Sequence, residues 1–189
     1  MIDNGALLTE ESFASVLLAA RQGAEWAWSR IYRQLAPVVL GYLRAQGARE
    51  PEDLAGEVFA QAVRDLTKFD GDEGSFRSWI FVIAHHRLLD EARSGARHPS
   101  EPATEQMLET AASPGGDVEA EAMRNIASER VRRLIDGLSA DQRSVLLLRI
   151  IGGLTVEETA AAVNKRPGAV KALQRRGLDA LRKQISVTP

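Results

Sequence analysis

Apolar residues recur at helical spacing along most of the chain. Leu54, Val58, Ala62 and Leu66 form one stripe, widened by Phe59 and Val63. Pro51 suits the first position of that helix, because its missing N–H has no intrahelical partner there. Ile31, Leu35, Val38 or Val39, and Tyr42 mark an earlier helix, with Pro37 as its expected kink. Ser75 is placed to cap a helix running through WIFVIAHHRLLDEAR, whose Phe76, Ile80, Ile83, Ala84 and Leu88 share a core face. Val131, Leu134, Ile135 and Leu138 repeat the pattern further on. No stretch alternates long enough to require a strand, and no internal repeat is visible.

The pattern stops between Ser94 and about Gly116. Gly, Pro, Ser, Ala and Thr dominate there, with three of the seven prolines, Pro99, Pro102 and Pro114. Such a segment buries too little apolar surface to offset its ordering entropy. The expected architecture is therefore all-α. Two small helical domains, an N-terminal bundle at 10–94 and a C-terminal unit at 129–186, are joined by a flexible linker at 95–128.

The last part carries the most specific local signals. Ser139 with Gln142 and Thr155 with Glu158 are two capping boxes. Gly152-Gly153 ends the first of these helices. Asn164 tolerates the positive φ of a tight turn, and Pro167 opens a third helix. A short helix, a turn of about four residues and a second helix make a helix-turn-helix. Ala160 belongs at the crossing, with Val156, Val163, Val170 and Leu173 between the helices. Lys171, Gln174, Arg175 and Arg176 then lie on or beside the outward face. Arg and Gln can read base edges, and Lys suits phosphate.

Charge sharpens this division. Residues 1–95 carry 10 Lys+Arg against 14 Asp+Glu, residues 96–128 carry 2 against 6, and residues 129–189 carry 12 against 6. The basic end holds Lys165, Arg166, Lys171, Arg175, Arg176, Arg182 and Lys183 against Asp179 alone. That asymmetry points to nucleic acid at the C-terminal end. In the first half, aromatic and basic side chains around Phe69–Arg93 could stack unpaired bases and hold a single strand.

Other chemistry is poorly supported. The chain has no cysteine, so disulfides, thiolate zinc sites and cysteine nucleophiles are excluded. His85 and His86 are adjacent, so on a helix they point about 100° apart and cannot readily share one metal ion. There is no P-loop, nucleophile elbow or dinucleotide-binding glycine pattern. No catalytic residue, metal or cofactor is expected. No apolar run approaches the roughly 20 residues that span a bilayer. No secretory signal is visible, and a cytoplasmic location without stable membrane insertion is expected.

Taken together, the two ends resemble the extracytoplasmic-function (ECF) sigma factors of bacterial RNA polymerase. Asp53, Glu57 and Phe59, then Phe76, Arg77, Trp79, Ile83, Ala84, Asp90 and Arg93, match region two of that family. Leu138, Leu146 to Arg149, Gly153, Leu154, Glu158, Ala160, Gly168, Val170, Lys171, Arg175, Ala180 and Leu181 match region four. Both blocks occur in the family's order with a linker between them. The resemblance implies a factor that binds core polymerase and directs it to promoters. Asp53, Leu54, Glu57, Val58 and Phe59 would dock on the polymerase. Phe69, Asp70, Ser75, Arg77, Trp79, His85, His86 and Arg93 would open and hold the minus-ten element as single strand. Arg166, Gly168, Lys171, Gln174, Arg175 and Arg176 would read the minus-thirty-five duplex. The acidic linker would thread toward the RNA exit path. An anti-sigma factor is a further partner that the resemblance implies. The alternative is a stand-alone helix-turn-helix regulator.

Departures from the family pattern bear on the contacts. Gly56 stands where the family carries Gln, and His85-His86 where it carries Arg-Asn. Val82 occupies a position that is often basic. Asn164 replaces a turn glycine, and Arg166 a Ser or Pro cap.

Overall fold

The computed structural model describes residues 12–97 and 131–187, all of whose regular elements are helical. They are α1 (Phe13–Arg21), α2 (Glu25–Gln46), α3 (Pro51–Asp65), α4 (Glu73–Arg97), α5 (Ala140–Ile150), α6 (Val156–Ala162) and α7 (Pro167–Val187). A 3₁₀ turn, Leu66–Lys68, follows α3, and residues 131–136 are also helical. Most of the linker expected at 95–128 lies outside the described residues. Its first residues do not, because α4 continues to Arg97, past the break expected at Ser94.

Local sequence explains most helix ends. Ser12 caps α1 through the amide of Ser15. Pro51 begins α3. Glu91 on α4 accepts from the amides of Arg49 and Glu50, so a remote carboxylate caps the start of α3. Both expected capping boxes form at α5 and α6. The start of α4 differs from expectation. Asp72, not Ser75, is the cap: its Oδ1 accepts from the Ser75 amide at 2.8 Å. Those hydrogen bonds from Ser75 hold the Asp72 carboxyl below the usual carboxylate range. α2 runs unbroken through Pro37, which lies on an exposed face.

The N-terminal core is built from the expected stripes. Ile31, Leu35, Val39 and Tyr42 of α2, Leu54, Val58 and Ala62 of α3, Leu66, and Phe76, Ile80, Ile83 and Ala84 of α4 are all buried. Val63 is half exposed, so the α3 stripe is narrower than expected, and Leu88 is only partly buried. Val131 is also half exposed, while Leu138 is buried after its helix has ended.

In the C-terminal unit Val145, Ala160, Val170 and Leu173 form a small core, with Val156 and Val163 against it. Ala160 sits at the crossing, where a larger side chain would push the helices apart. The turn from α6 to α7 is the four residues Val163–Arg166, and Asn164 takes φ 51° there. The unit does not stand apart from the N-terminal helices. Leu147, Leu148, Leu154 and Ala162 belong to the same continuous core as Tyr42, Phe76 and Phe81.

Candidate nucleic-acid interface

The helix-turn-helix positions its basic residues as the spacing predicts. Val170 and Leu173 anchor one side of α7 in the core, so the opposite side faces out. Lys171, Arg175 and Arg176 are exposed there, as are Arg166 and Gly168 at the start of the helix. Lys171, Gln174, Arg175, Leu178, Asp179 and Arg182 line one shallow groove along the helix. Arg182 pairs with Asp179 at 3.1 Å, which leaves Lys171 and Arg175 as its least compensated cations. Gln174 is only partly exposed, and its Oε1 accepts from Arg149 Nε at 3.4 Å. Arg149 also donates to the Leu154 carbonyl, tying α5 to the entry of the helix-turn-helix. In the sequence Arg149 matches the family pattern, but nothing local to it indicates this bracing role. The partner carbonyl is nearby in sequence, but a backbone acceptor leaves no compositional trace.

The second group lies around the α3–α4 loop. Phe69 is buried, and its ring sits 5.3 Å from Phe76 and 5.2 Å from Trp79. Its carbonyl accepts from Arg21 of α1, 48 residues away. Gly71 lets the loop close over this ring: a Cβ there would lie 2.8 Å from Phe69 Cζ and 3.0 Å from Ser75 Cβ. Asp70 and Ser75 are exposed at the loop surface, and Trp79 is partly exposed beside them. Further along α4, His86 and Arg93 are exposed, with Arg93 paired to Asp90.

Besides the buried Phe69, two residues expected at this surface are placed differently. His85 is buried, with Nδ1 2.9 Å from the Tyr42 hydroxyl. Burial, helped by the neighbouring His86, pulls its pKa down to about 4, so it is neutral near pH 7. As placed, it supports the core and does not face nucleic acid. Arg77 is half-buried, and its Nε and Nη2 both donate to the Ile151 carbonyl, at 3.1 and 2.8 Å. Its guanidinium carbon lies 5.5 Å from the centre of the Phe81 ring.

On α3 the five residues expected to dock divide by exposure. Leu54, Val58 and Phe59 are core, and only Asp53 and Glu57 present their side chains to solvent. Arg87 of α4 holds this face in place. It lies 3.6 Å from Glu57 and donates to Gln61 Oε1 at 2.9 Å. Among the described residues no group of His, Cys, Asp and Glu could hold a metal ion. Nor is any described helix long and apolar enough to cross a membrane.

Comparison with known proteins agrees with this geometry. The family model for sigma-70 region 2 matches residues 31–98, and that for sigma-70 region 4 matches residues 128–181. The ECF RNA polymerase sigma factor ShbA of Streptomyces griseus is 31% identical over 172 residues, covering 86% of this chain and 90% of ShbA. The ECF RNA polymerase sigma factor SigD of Mycobacterium tuberculosis is 29% identical over 184 residues, 93% of this chain and 84% of SigD. Among solved structures, the sigma factor RpoE of Bartonella quintana, in complex with the anti-sigma factor NepR, superposes with a TM-score of 0.60. It is 17% identical and covers 85% of this chain and 98% of that one. At that identity the likeness concerns the fold.

Proposed function

The chain belongs to the ECF sigma factors, which direct bacterial RNA polymerase to promoters, and from that premise we propose how its parts divide the work. The N-terminal unit, 10–94, binds core polymerase and opens the minus-ten element. The exposed acids Asp53 and Glu57 meet the polymerase, while Leu54, Val58 and Phe59 fix the helix that carries them. Asp70, Ser75, Trp79, His86 and Arg93 line the single-strand side, the buried Phe69 holds the loop that carries Asp70, and Arg77 joins them once its present partner lets go. The C-terminal unit, 129–186, docks α7 in the major groove of the minus-thirty-five element. Arg166, Gly168, Lys171, Gln174, Arg175 and Arg176 form its contact edge. The acidic segment 95–128 connects the two along the polymerase surface. The polymerase supplies all nucleotidyl chemistry, and the chain works in the cytoplasm where that enzyme is.

The observation that carries this reading is the α6–α7 pair. Its inner side is a closed apolar core, and its outer side exposes Lys171, Arg175 and Arg176 at groove-reading positions. A structural relative bound to an anti-sigma factor supports a partner of that class here as well. Reconstituted transcription tests the reading. Purified chain added to core polymerase should start transcripts at a dependent promoter, and changes in either element should abolish them. Sequence-specific duplex binding by the isolated chain, without stimulation of polymerase, would instead identify a stand-alone regulator.

A further inference from the structure

Gln174 lines the groove along α7 beside Lys171 and Arg175, but its amide does not turn both polar atoms to that groove. Oε1 is directed toward α5, where Arg149 Nε donates to it at 3.4 Å. A guanidinium has donors only and stays charged at any working pH. The atom that meets it is therefore the amide oxygen and never the nitrogen, so the end-for-end orientation of the amide is fixed by chemistry.

Arg149 is itself held. Its Nη1 donates to the Leu154 carbonyl in the turn between α5 and α6. One planar fork thus grips a backbone carbonyl and a side chain of α7 through two different nitrogens, which leaves it little freedom. The spacing of the two helices is set as well. Gly177, about one turn beyond Gln174, lies so near α5 that a Cβ on it would sit 2.8 Å from Leu146 Cδ1 and 3.4 Å from Gln142 Cβ. Val145 of α5 shares a core with Val170 and Leu173 of α7.

This orientation changes what Gln174 can read. A glutamine that recognises adenine uses both amide atoms on one base edge, accepting from N6 and donating to N7. With Oε1 turned inward to α5, the Nε2 hydrogens are what Gln174 offers the groove. A lone donor suits an edge of acceptors, guanine O6 and N7 or thymine O4. It meets the exocyclic amino donor of adenine or cytosine unfavourably.

We infer that Arg149 is a positioning residue for promoter specificity. By holding Gln174 Oε1 it makes Gln174 a donor-only reader, which selects a keto base, guanine or thymine, at one position of the minus-thirty-five duplex. Arg149 acts from α5 through Gln174 and not by touching the base. The inference rests on the reading of α7 as the duplex-binding helix given above.

Holoenzyme assembled from the full chain and core polymerase tests it. The template is a promoter library randomised through the minus-thirty-five element, with each promoter barcoded in its transcript. At one position the parent should favour guanine or thymine over adenine or cytosine by about fivefold, the worth of one neutral hydrogen bond. Gln174→Met should flatten that position and leave the others. Arg149→Met frees the amide to turn and should move the preference there toward adenine. In the Gln174→Met background the same change should alter no base preference. Arg149→Lys keeps a donor for the Leu154 carbonyl but lacks Nε, so it should shift the preference the same way even where Arg149→Met folds poorly. Base preferences in Arg149→Lys equal to those of the parent would overturn the inference. So would a loss equal for every sequence that persists in the Gln174→Met background, because Arg149 would then be a phosphate contact or a plain brace. A library in which Gln174→Met removes no preference would overturn it as well, leaving the α7 reading to Lys171 and Arg175. A parent indifferent to every base of the element would instead remove the α7 reading, and this inference with it.

Discussion

The Tyr42 hydroxyl and His85 Nδ1 lie 2.9 Å apart, both inside the N-terminal core. Gln46 Nε2 donates to the phenol oxygen, so the hydroxyl proton points to Nδ1 and the ring proton sits on Nε2. Burial favours the neutral form of each partner, pushing the phenol pKa well up and the imidazole pKa down to about 4.

The sign of the pH effect follows. The unfolded chain takes up the His85 proton near pH 6.5, and the folded chain only near pH 4. Stability from this residue is therefore complete above pH 6.5 and falls as the pH drops toward 4. The loss amounts to about 2 kcal/mol by pH 5. Urea titrations at pH 7.5 and 5 should show it in the parent, and His85→Gln should flatten that dependence. An equal pH dependence in the variant would show that His85 is not the group responsible.

Gly71 fits the turn over Phe69 because it lacks a Cβ. Gly71→Ala should push the Phe69 ring off Phe76 and Trp79, at a stability cost of about 1–3 kcal/mol. Near-ultraviolet circular dichroism should change, and promoter opening should weaken more than binding to polymerase. Unaltered promoter opening would separate this loop from strand capture.

On α3, Asp53→Lys/Glu57→Lys should weaken core-polymerase affinity and leave the helices intact. The stability cost should be small, about 1 kcal/mol at most, because the Arg87–Glu57 pair is largely solvated. Far-ultraviolet circular dichroism checks the fold, and a pull-down of core polymerase checks the affinity. Undiminished capture of polymerase would place the docking surface elsewhere.

Along α7, Lys171 and Arg175 can be removed without touching the core. Lys171→Ala should weaken all promoters alike and flatten the salt dependence. Arg175→Ala should cost about 1–3 kcal/mol and relax preference at one base pair. Val170→Asp acts by another route. It buries an unpaired charge at a fully enclosed position and should destabilise the C-terminal unit by more than about 3 kcal/mol. Transcription from a dependent promoter separates the cases, and full activity of the Lys171→Ala/Arg175→Ala chain would eliminate α7 as the reader.

What could be read from sequence was local. The Ser139 and Thr155 capping boxes, the positive φ of Asn164, Pro51 and Pro167 at helix starts, and the Leu54–Leu66 stripe each depend on residues within a turn or two. Local spacing determines them, so the all-α class and the outward cations of α7 were legible. The tertiary structure decided the rest, because it turns on residues far apart in the chain. Asp72 took the cap of α4 from Ser75 because its carboxylate reaches the Ser75 amide, a choice that spacing left open. Arg21 found the Phe69 carbonyl across 48 residues, and Glu91 capped a helix that begins 40 residues earlier. His85 and Arg77 look alike in sequence as polar residues on one helix. Packing turned the first inward to Tyr42 and the second to the Ile151 carbonyl. A backbone acceptor is the same at every residue, so no one-dimensional pattern could have indicated which carbonyl Arg77 would hold.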